Sequence, residues 1–321
     1  MKKKFLISFL ISLIIFGVAY GKLWHKIATA KTAIQQIEDS AEVEAVDNIV
    51  EGNIIEQKNI DELVFLLVGV DTGDLTKLKE NENKSGSTGI RSDTIMVCKV
   101  NFKTGTVNIL SIPRDSRVKV FGKLDKINHS HSYGGMKLLL KTVRDFTGID
   151  IDYYVRVDYP AVKYIVDAIG GVEIDVPRRM NYHDTTKGKE LHIDLQKGLQ
   201  KLNGDQAMQF LRYRQYKTGD EERVAMQQYF LKEFIRQLLT PRNILKLPKL
   251  IDAYLSHVDT NIDPSIIYQG MGMATKINPE KIETKTIPGY GTMIDEISYY
   301  IVDKKGTKEA IDEWFSDYII E

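Results

Sequence analysis

Six short segments of this chain hold residues suited to chemistry on a phosphate. Asp71 directly follows an apolar run, 64–70. Arg91-Ser92-Asp93-Thr94 leads into a second run, and Pro113-Arg114-Asp115-Ser116-Arg117 follows a third. Lys126-Ile127-Asn128 and Arg212-Tyr213-Arg214 add further cations. Asp220, Arg223 and Gln227 are spaced i, i+3 and i+7, which places them on one helix face. Arginine presents a planar fork of donors that fits phosphate oxygens bidentately and keeps its charge at any working pH. Carboxylates near such arginines suit a hard divalent cation that would bridge phosphates. Arginines, a metal and little else make up the inventory of phosphoryl transfer, where positioning and charge stabilisation do most of the catalysis.

Other chemistries are poorly served. The chain has no Gly-x-Ser-x-Gly, and no Cys/His pair stands out. Gly69-Val70-Asp71 is not a phosphate-cradling glycine loop, and no Walker-type lysine follows it. His129 and His131 have no third metal ligand at a suitable spacing and read as structural. Cys98, the only cysteine, sits in the apolar run 94–100 and reads as a core thiol. Arg117, Arg144, Arg156, Arg178 and Arg179 read as solvated or structural.

The elements that must position these residues read as α/β, a central mixed β-sheet flanked by helices. Strands are expected at 64–70, 94–100, 107–112, 153–157, 172–176 and 285–287, with a hairpin turn at 101–105. Helices are expected at 136–146, from Pro160 to the Gly170-Gly171 stop, and at 205–213, 221–239, 244–256 and 308–320. Residues 75–90, polar and rich in Gly and Ser, read as a mobile loop.

Ahead of this domain, Lys2, Lys3 and Lys4 precede an apolar run, 5–20, followed by Lys22 and Trp24. This pattern predicts one N-terminal transmembrane helix over 5–24, with a cytoplasmic tail at 1–4 and everything later outside the cell. The cleavage-like Ala28-Thr29-Ala30 is separated from the apolar run by Lys22, His25 and Lys26, so an uncleaved anchor is preferred to a signal peptide. Residues 25–60 read as an extracytoplasmic stalk and 61–321 as the catalytic domain. Lys plus Arg and Asp plus Glu are both 44, and this neutral balance argues against a nucleic-acid partner.

Several motifs occur together and in order: Val68-Gly69-Val70-Asp71, Arg91-Ser92-Asp93-Thr94, Ser111-Ile112-Pro113-Arg114-Asp115, Asp125-Lys126-Ile127-Asn128 and Gly134-Gly135. Ala168-Ile169-Gly170-Gly171-Val172, Leu202-Asn203-Gly204, Arg212-Tyr213-Arg214, and Asp220 with Arg223 and Gln227-Gln228 continue the series. Over about 61–240 the set resembles the LytR-CpsA-Psr family. The resemblance implies an enzyme that takes a glycopolymer such as teichoic acid or capsule from an undecaprenyl-pyrophosphate carrier and joins it to peptidoglycan through a phosphodiester. It implies Mg²⁺ (Mn²⁺ as a substitute) on Asp71 and Asp93. It also implies pyrophosphate contacts from Arg91, Arg114, Lys126, Arg212, Arg214, Arg223 and Gln227. Arg114, Asp115, Arg223 and Gln227 would be the catalytic group, with Asp115 a neighbour of the metal or a base for the attacking hydroxyl. Val143, Phe146, Ile165, Val166, Phe210, Phe230 and Phe234 would help line a polyprenyl tunnel. One departure is Met226, where the family often has Arg. A polyprenyl-pyrophosphate glycolipid hydrolase and a non-catalytic membrane-bound regulator of envelope genes are the competing readings.

Overall fold

The segments 62–70, 92–101 and 106–111 are rich in Leu, Val and Ile, residues that suit a buried pleated surface. They form three strands, β1 (Glu62–Val70), β2 (Ser92–Asn101) and β3 (Thr106–Ser111), paired antiparallel. The computed structural model describes residues 60–185, 191–216, 220–240, 243 and 257–320. The expected tail, anchor and nearly all of the stalk lie outside the described residues, as does the helix expected at 244–256. No helix among the described residues is long and apolar enough to cross a membrane.

Between β1 and β2 the chain forms helix α1 (Leu75–Ser85), where the composition had suggested a loop. Asp74 caps its first turn by accepting from the Lys77 N–H at 3.0 Å, and Gly86, at φ 71°, ends it by donating to the Glu82 carbonyl. Polar composition hid these two signals, and tertiary contacts described below hold the helix in place. After β3 comes a short hairpin, β4 (Arg117–Val120) and β5 (Lys123–Lys126), then α2 (Ile127–Thr147). Helix α2 starts nine residues before the expected Met136, and it breaks at Gly134 and Gly135 (φ 61°).

Strand β6 (Tyr153–Asp158) runs parallel to β1 and leads into α3 (Tyr159–Ile169), whose N-terminus Asp158 caps and Pro160 opens. Next come β7 (Val172–Val176), a hairpin of β8 (Met180–Asp184) and β9 (Leu191–Leu195), β10 (Gly198–Leu202), α4 (Gly204–Arg212) and α5 (Asp220–Leu238). The remainder is β11 (Asp259–Thr260), α6 (Pro264–Gly272), β12 (Ile282–Thr286), the hairpin β13 (Gly289–Ile294) and β14 (Ile297–Val302), and α7 (Lys304–Phe315). The closing helix therefore starts and stops about one turn earlier than the expected 308–320.

The main sheet has the order β11-β6-β1-β2-β3-β12 and is mixed, with parallel β1–β6 and β3–β12 pairs. Leu66, Val68, Val97, Leu139, Val143 and Phe315 build one core, joining the sheet to α2 and α7. A second core joins Cys98, Ile109 and Ile282 to Leu231 and Ile235 of α5. A third, around Ile174, Ile193, Phe210 and Phe230, belongs to β7–β10 and α3–α5.

Arg156, on β6, is 1% exposed and sits at the centre of a buried charge network. Its guanidinium pairs with Glu82 of α1 and with Asp259 of β11, both at 2.7 Å. Glu82 also accepts the Met136 N–H at 2.6 Å, which caps the second segment of α2 from outside. A Cβ on Gly135 would lie 2.0 Å from that same carboxylate oxygen, so the chain needs glycine there. Arg156 donates to Nε2 of His131, and His131 Nδ1 donates to the Ile90 carbonyl at 2.6 Å. An arginine cannot accept and a carbonyl cannot donate, so this fixes the neutral Nδ1–H tautomer. Burial above all, with the Arg156 charge adding to it, lowers the His131 pKa to about 4, against the pull of the Ile90 carbonyl.

Two expectations follow. Arg156→Leu, which leaves Glu82 without its cation and Asp259 with Lys79 alone, should lower unfolding free energy by about 3–5 kcal/mol in a denaturant titration. For His131 the folded pKa lies below the unfolded value, so between about pH 6.5 and 4 the unfolded chain binds more protons. Its contribution is complete above pH 6.5 and disappears as pH falls towards 4, a loss of about 3 kcal/mol. His131→Asn should flatten that slope; an unchanged wild-type-like slope would refute the assignment.

Candidate active site

Asp71 and Asp93 sit where β1 ends and β2 begins. In the β1–β2 ladder Gly69 faces Thr94 and Val70 faces Ser92, which leaves Asp93 as an extra, unpaired residue, a β-bulge. Bulges re-aim a side chain, and here the side chain is a carboxylate. A Cβ on Gly69 would come within 3.0 Å of the Thr94 Cβ. The missing side chain lets Thr94 lie across β1 and donate its hydroxyl to Gln227 Oε1 at 3.1 Å.

Arg114 and Asp115 belong to the turn after β3. That turn is closed by the Ser116 N–H on the Pro113 carbonyl, and the first turn of α2 grips it through Ile127 and Asn128 N–H groups on the Ser116 and Arg114 carbonyls. Arg114 Nη1 is hydrogen-bonded to Asp93 Oδ1. Its Nε lies 4.0 Å from Asp115 Oδ2, and Lys126 Nζ lies 3.1 Å from Asp115 Oδ1. From the end of α4, Arg214 reaches Asp93 at 3.7 Å and Arg212 reaches Asp71 at 4.0 Å. Arg212 also stacks over the Tyr159 ring, 4.9 Å from its centroid. Burial, reinforced by the charges of Asp71 and Asp93, pushes the Tyr159 hydroxyl up to about 12, so it stays protonated at neutral pH and can donate a hydrogen bond. Tyr159 thus feels both acid–arginine pairs.

Helix α5 supplies Arg223, 4% exposed, and Gln227 one turn later. The next residue, Gln228, fixes that helix to the sheet. Its amide nitrogen donates to Ser111 Oγ at 2.8 Å, the Lys285 carbonyl at 2.9 Å and Thr286 Oγ1 at 3.1 Å.

The structure therefore gathers Asp93, Arg114, Asp115, Lys126 and Arg214 into one charged cluster, with Asp71–Arg212 at its side and Gln227 on Thr94. Arg91 is exposed just before β2, where its charge acts on Tyr133. The Asp220 side chain lies outside the described residues. The set suggested for a polyprenyl tunnel divides: Val143 and Phe146 belong to the core under α2, while Val166, Phe210, Phe230 and Phe234 belong to the core between α3, α4 and α5. Of the arginines read as structural, Arg144 pairs with Asp150, Arg156 with Glu82 and Asp259, Arg178 with Glu222 and Arg179 with Asp194. Arg117 stacks on Tyr299, 5.4 Å from its centroid. His129 pairs with Asp125 at 2.8 Å. Tyr159, Thr94 and Gln228 are the contributors that residue types had not singled out; only the paired glutamines gave Gln228 a signal.

Among the described residues no group of three or more His, Cys, Asp or Glu side chains gathers to cage a metal. Two carboxylates at strand ends beside arginines suited to phosphate oxygens are a fit for Mg²⁺ all the same. That ion takes one or two carboxylates and fills its octahedron with phosphate oxygens and water.

Residues 22–315 match the LytR_cpsA_psr family. The chain is 28% identical to a polyisoprenyl-teichoic acid–peptidoglycan teichoic acid transferase TagU of Bacillus licheniformis, over 97% of this chain and 95% of that protein. It is 31% identical to the TagU of Bacillus cereus, over 76% of this chain and 75% of that protein. Its fold is similar to the crystal structure of Bacillus subtilis TagV, with a TM-score of 0.65 and 28% identity over 79% of this chain and 98% of that one.

Gln228→Leu keeps the side-chain volume and leaves Ser111 Oγ, Thr286 Oγ1 and the Lys285 carbonyl without their donor. It should lower unfolding free energy by about 1–3 kcal/mol, and it should weaken binding of an inorganic pyrophosphate probe through displaced Arg223 and Gln227. Calorimetry on the variant, before and after pyrophosphate, reads both effects.

Proposed function

Because the chain belongs to the LytR_cpsA_psr family, we propose that it moves a glycopolymer from a polyprenyl-pyrophosphate carrier to peptidoglycan through a phosphodiester link. The polymer would be a teichoic acid, a capsular chain or another wall polysaccharide. The observation that supports this most is the meeting of Arg114, Arg212 and Arg214 with Asp71 and Asp93 at the ends of β1 and β2.

In this reading the acceptor hydroxyl attacks the phosphorus next to the glycan. A P–O bond to that phosphorus forms, the bond to the lipid-side phosphate breaks, and polyprenyl phosphate leaves. Arg114, Arg212, Arg214 and Arg223 receive the charge on the pyrophosphate oxygens, with Arg91 and Gln227 at the edge of the site. Asp115 accepts the hydroxyl proton, and Lys126, 3.1 Å away, orients its carboxylate. Asp71 and Asp93 would hold Mg²⁺, which supplies further neutralisation of phosphate charge. The N-terminal anchor and external location expected from the sequence would place the site beside its lipid donor.

The purified chain is mixed with a synthetic lipid-pyrophosphate glycan, undecorated peptidoglycan fragments and Mg²⁺, and products are read by mass spectrometry. Joined glycan–peptidoglycan product is expected, and Arg114→Ala should slow its formation by about 10²–10³-fold. Free glycan phosphate with no joined product would replace this reading with a hydrolase. Binding of the lipid without turnover would replace it with a regulator.

A further inference from the structure

The hairpin β4–β5 rises from the cluster. Asp115 and Arg117 stand at the start of β4, and Lys126 ends β5. Val118 and Val120 point inward and are buried, so the hairpin is anchored along one face. The other face and the turn behave differently. Val120 pairs with Lys123, which makes Phe121-Gly122 a two-residue loop, and both residues have positive φ, 48° and 78°. Such a turn favours Asn-Gly or Asp-Gly, because a bulky side chain is strained in the left-handed region. Phe121 holds this position while 72% exposed, next to Leu124 at 52%. Two costs, a strained backbone and an aromatic ring in water, fall on one residue.

Lys119, paired across the hairpin with Leu124, and Lys123, which follows the Phe121-Gly122 turn, are both exposed. An exposed aromatic and a leucine with two lysines beside them on one hairpin tip match the layered chemistry of a bilayer interface: ring and aliphatic carbons among the acyl chains, ammonium groups at anionic phosphates. The acidic turn Asp295-Glu296 of the neighbouring hairpin does not oppose this. The bridge between Ser116 and Tyr300 is parallel, so β14 runs in the direction of β4, and that turn lies behind the base of β4.

We propose that the tip of β4–β5, Phe121 and Leu124 with Lys119 and Lys123, is a membrane-contact site for a bilayer carrying anionic headgroups. It would hold the arginine cluster roughly one hairpin length, about 13 Å, above the headgroups. The proposal goes beyond the transferase reading and does not require turnover.

The test uses the full chain reconstituted into vesicles of phosphatidylglycerol and phosphatidylcholine, with an environment-sensitive fluorophore on Leu124→Cys. The native Cys98 stays unlabelled because it is buried, which raises its thiol to about 12. Emission at position 124 should shift to the blue and be quenched by nitroxide lipids, whereas the same label on Met293→Cys stays in water. Adding Phe121→Asn, or Lys119→Glu with Lys123→Glu, should bring quenching at 124 down to the level seen at 293. Phe121→Asn should also raise the melting temperature, since asparagine tolerates the left-handed turn; a ring that served only to support the fold would make it fall. An unquenched label at 124 in the otherwise native chain overturns the proposal, and so does a label that responds only to added peptidoglycan fragments. Turnover of donor in detergent, where no bilayer exists, should be unchanged in Phe121→Asn. A failed transferase reading and a failed membrane contact therefore give different results.

Discussion

A guanidinium taken out of water must find its counter-charges inside the protein, and Arg156 imposes that condition on the whole domain. It stands on β6, beside β1, at 1% exposure. Its two carboxylates come from segments 74 residues earlier and 103 residues later, Glu82 and Asp259. Satisfying it draws α1 down onto the sheet and brings β11 to its edge. Glu82 then has an oxygen left for Met136, which is why α2 breaks where it does. Lys79 on Asp259, at 2.6 Å, closes the network from the solvent side.

The charges at the strand ends obey a different rule. Arg114, Asp93, Asp115 and Lys126 keep between 16% and 26% of their side-chain surface in water. Partial solvation makes these pairs exchangeable: on the proposed function, an entering phosphate would compete with Asp93 and Asp115 for donors that already lie close together. The network around Arg156 has no such freedom. One set of ion pairs fixes the geometry, and the other is free to give its donors to a ligand. The bulge at Asp93, the grip of α2 on the Arg114 turn and the hold of Gln228 on α5 join the two sets mechanically.

Much of this was legible in the residues. Continuous apolar runs marked β1, β2 and β3, and the Pro160 and Gly170 signals marked α3. Residues at the ends of these elements proved to be neighbours because strand ends in a sheet must be neighbours. What stayed hidden depended on distant partners. Residues 75–85 look like loop because their helix is stabilised by Arg156 and Asp259. Arg156 itself looks like any surface arginine until the sheet closes over it. The bulge at Asp93 is a register shift between two strands, which neither strand shows alone. Tyr159 gives no signal at all, since its importance comes from which side chains stack above it.

The glycine at 135 carries a lesson for anyone mapping this domain by saturation mutagenesis. Every side chain there collides with the carboxylate of Glu82, so the position will tolerate almost nothing. On the proposed function its intolerance would match that of the arginines at the strand ends, although the role of Gly135 is to let α2 break against Glu82. Depletion scores alone would draw one continuous essential patch from Arg114 to α1. Only a screen that scores protein abundance separately from product will resolve that patch into a scaffold and a site.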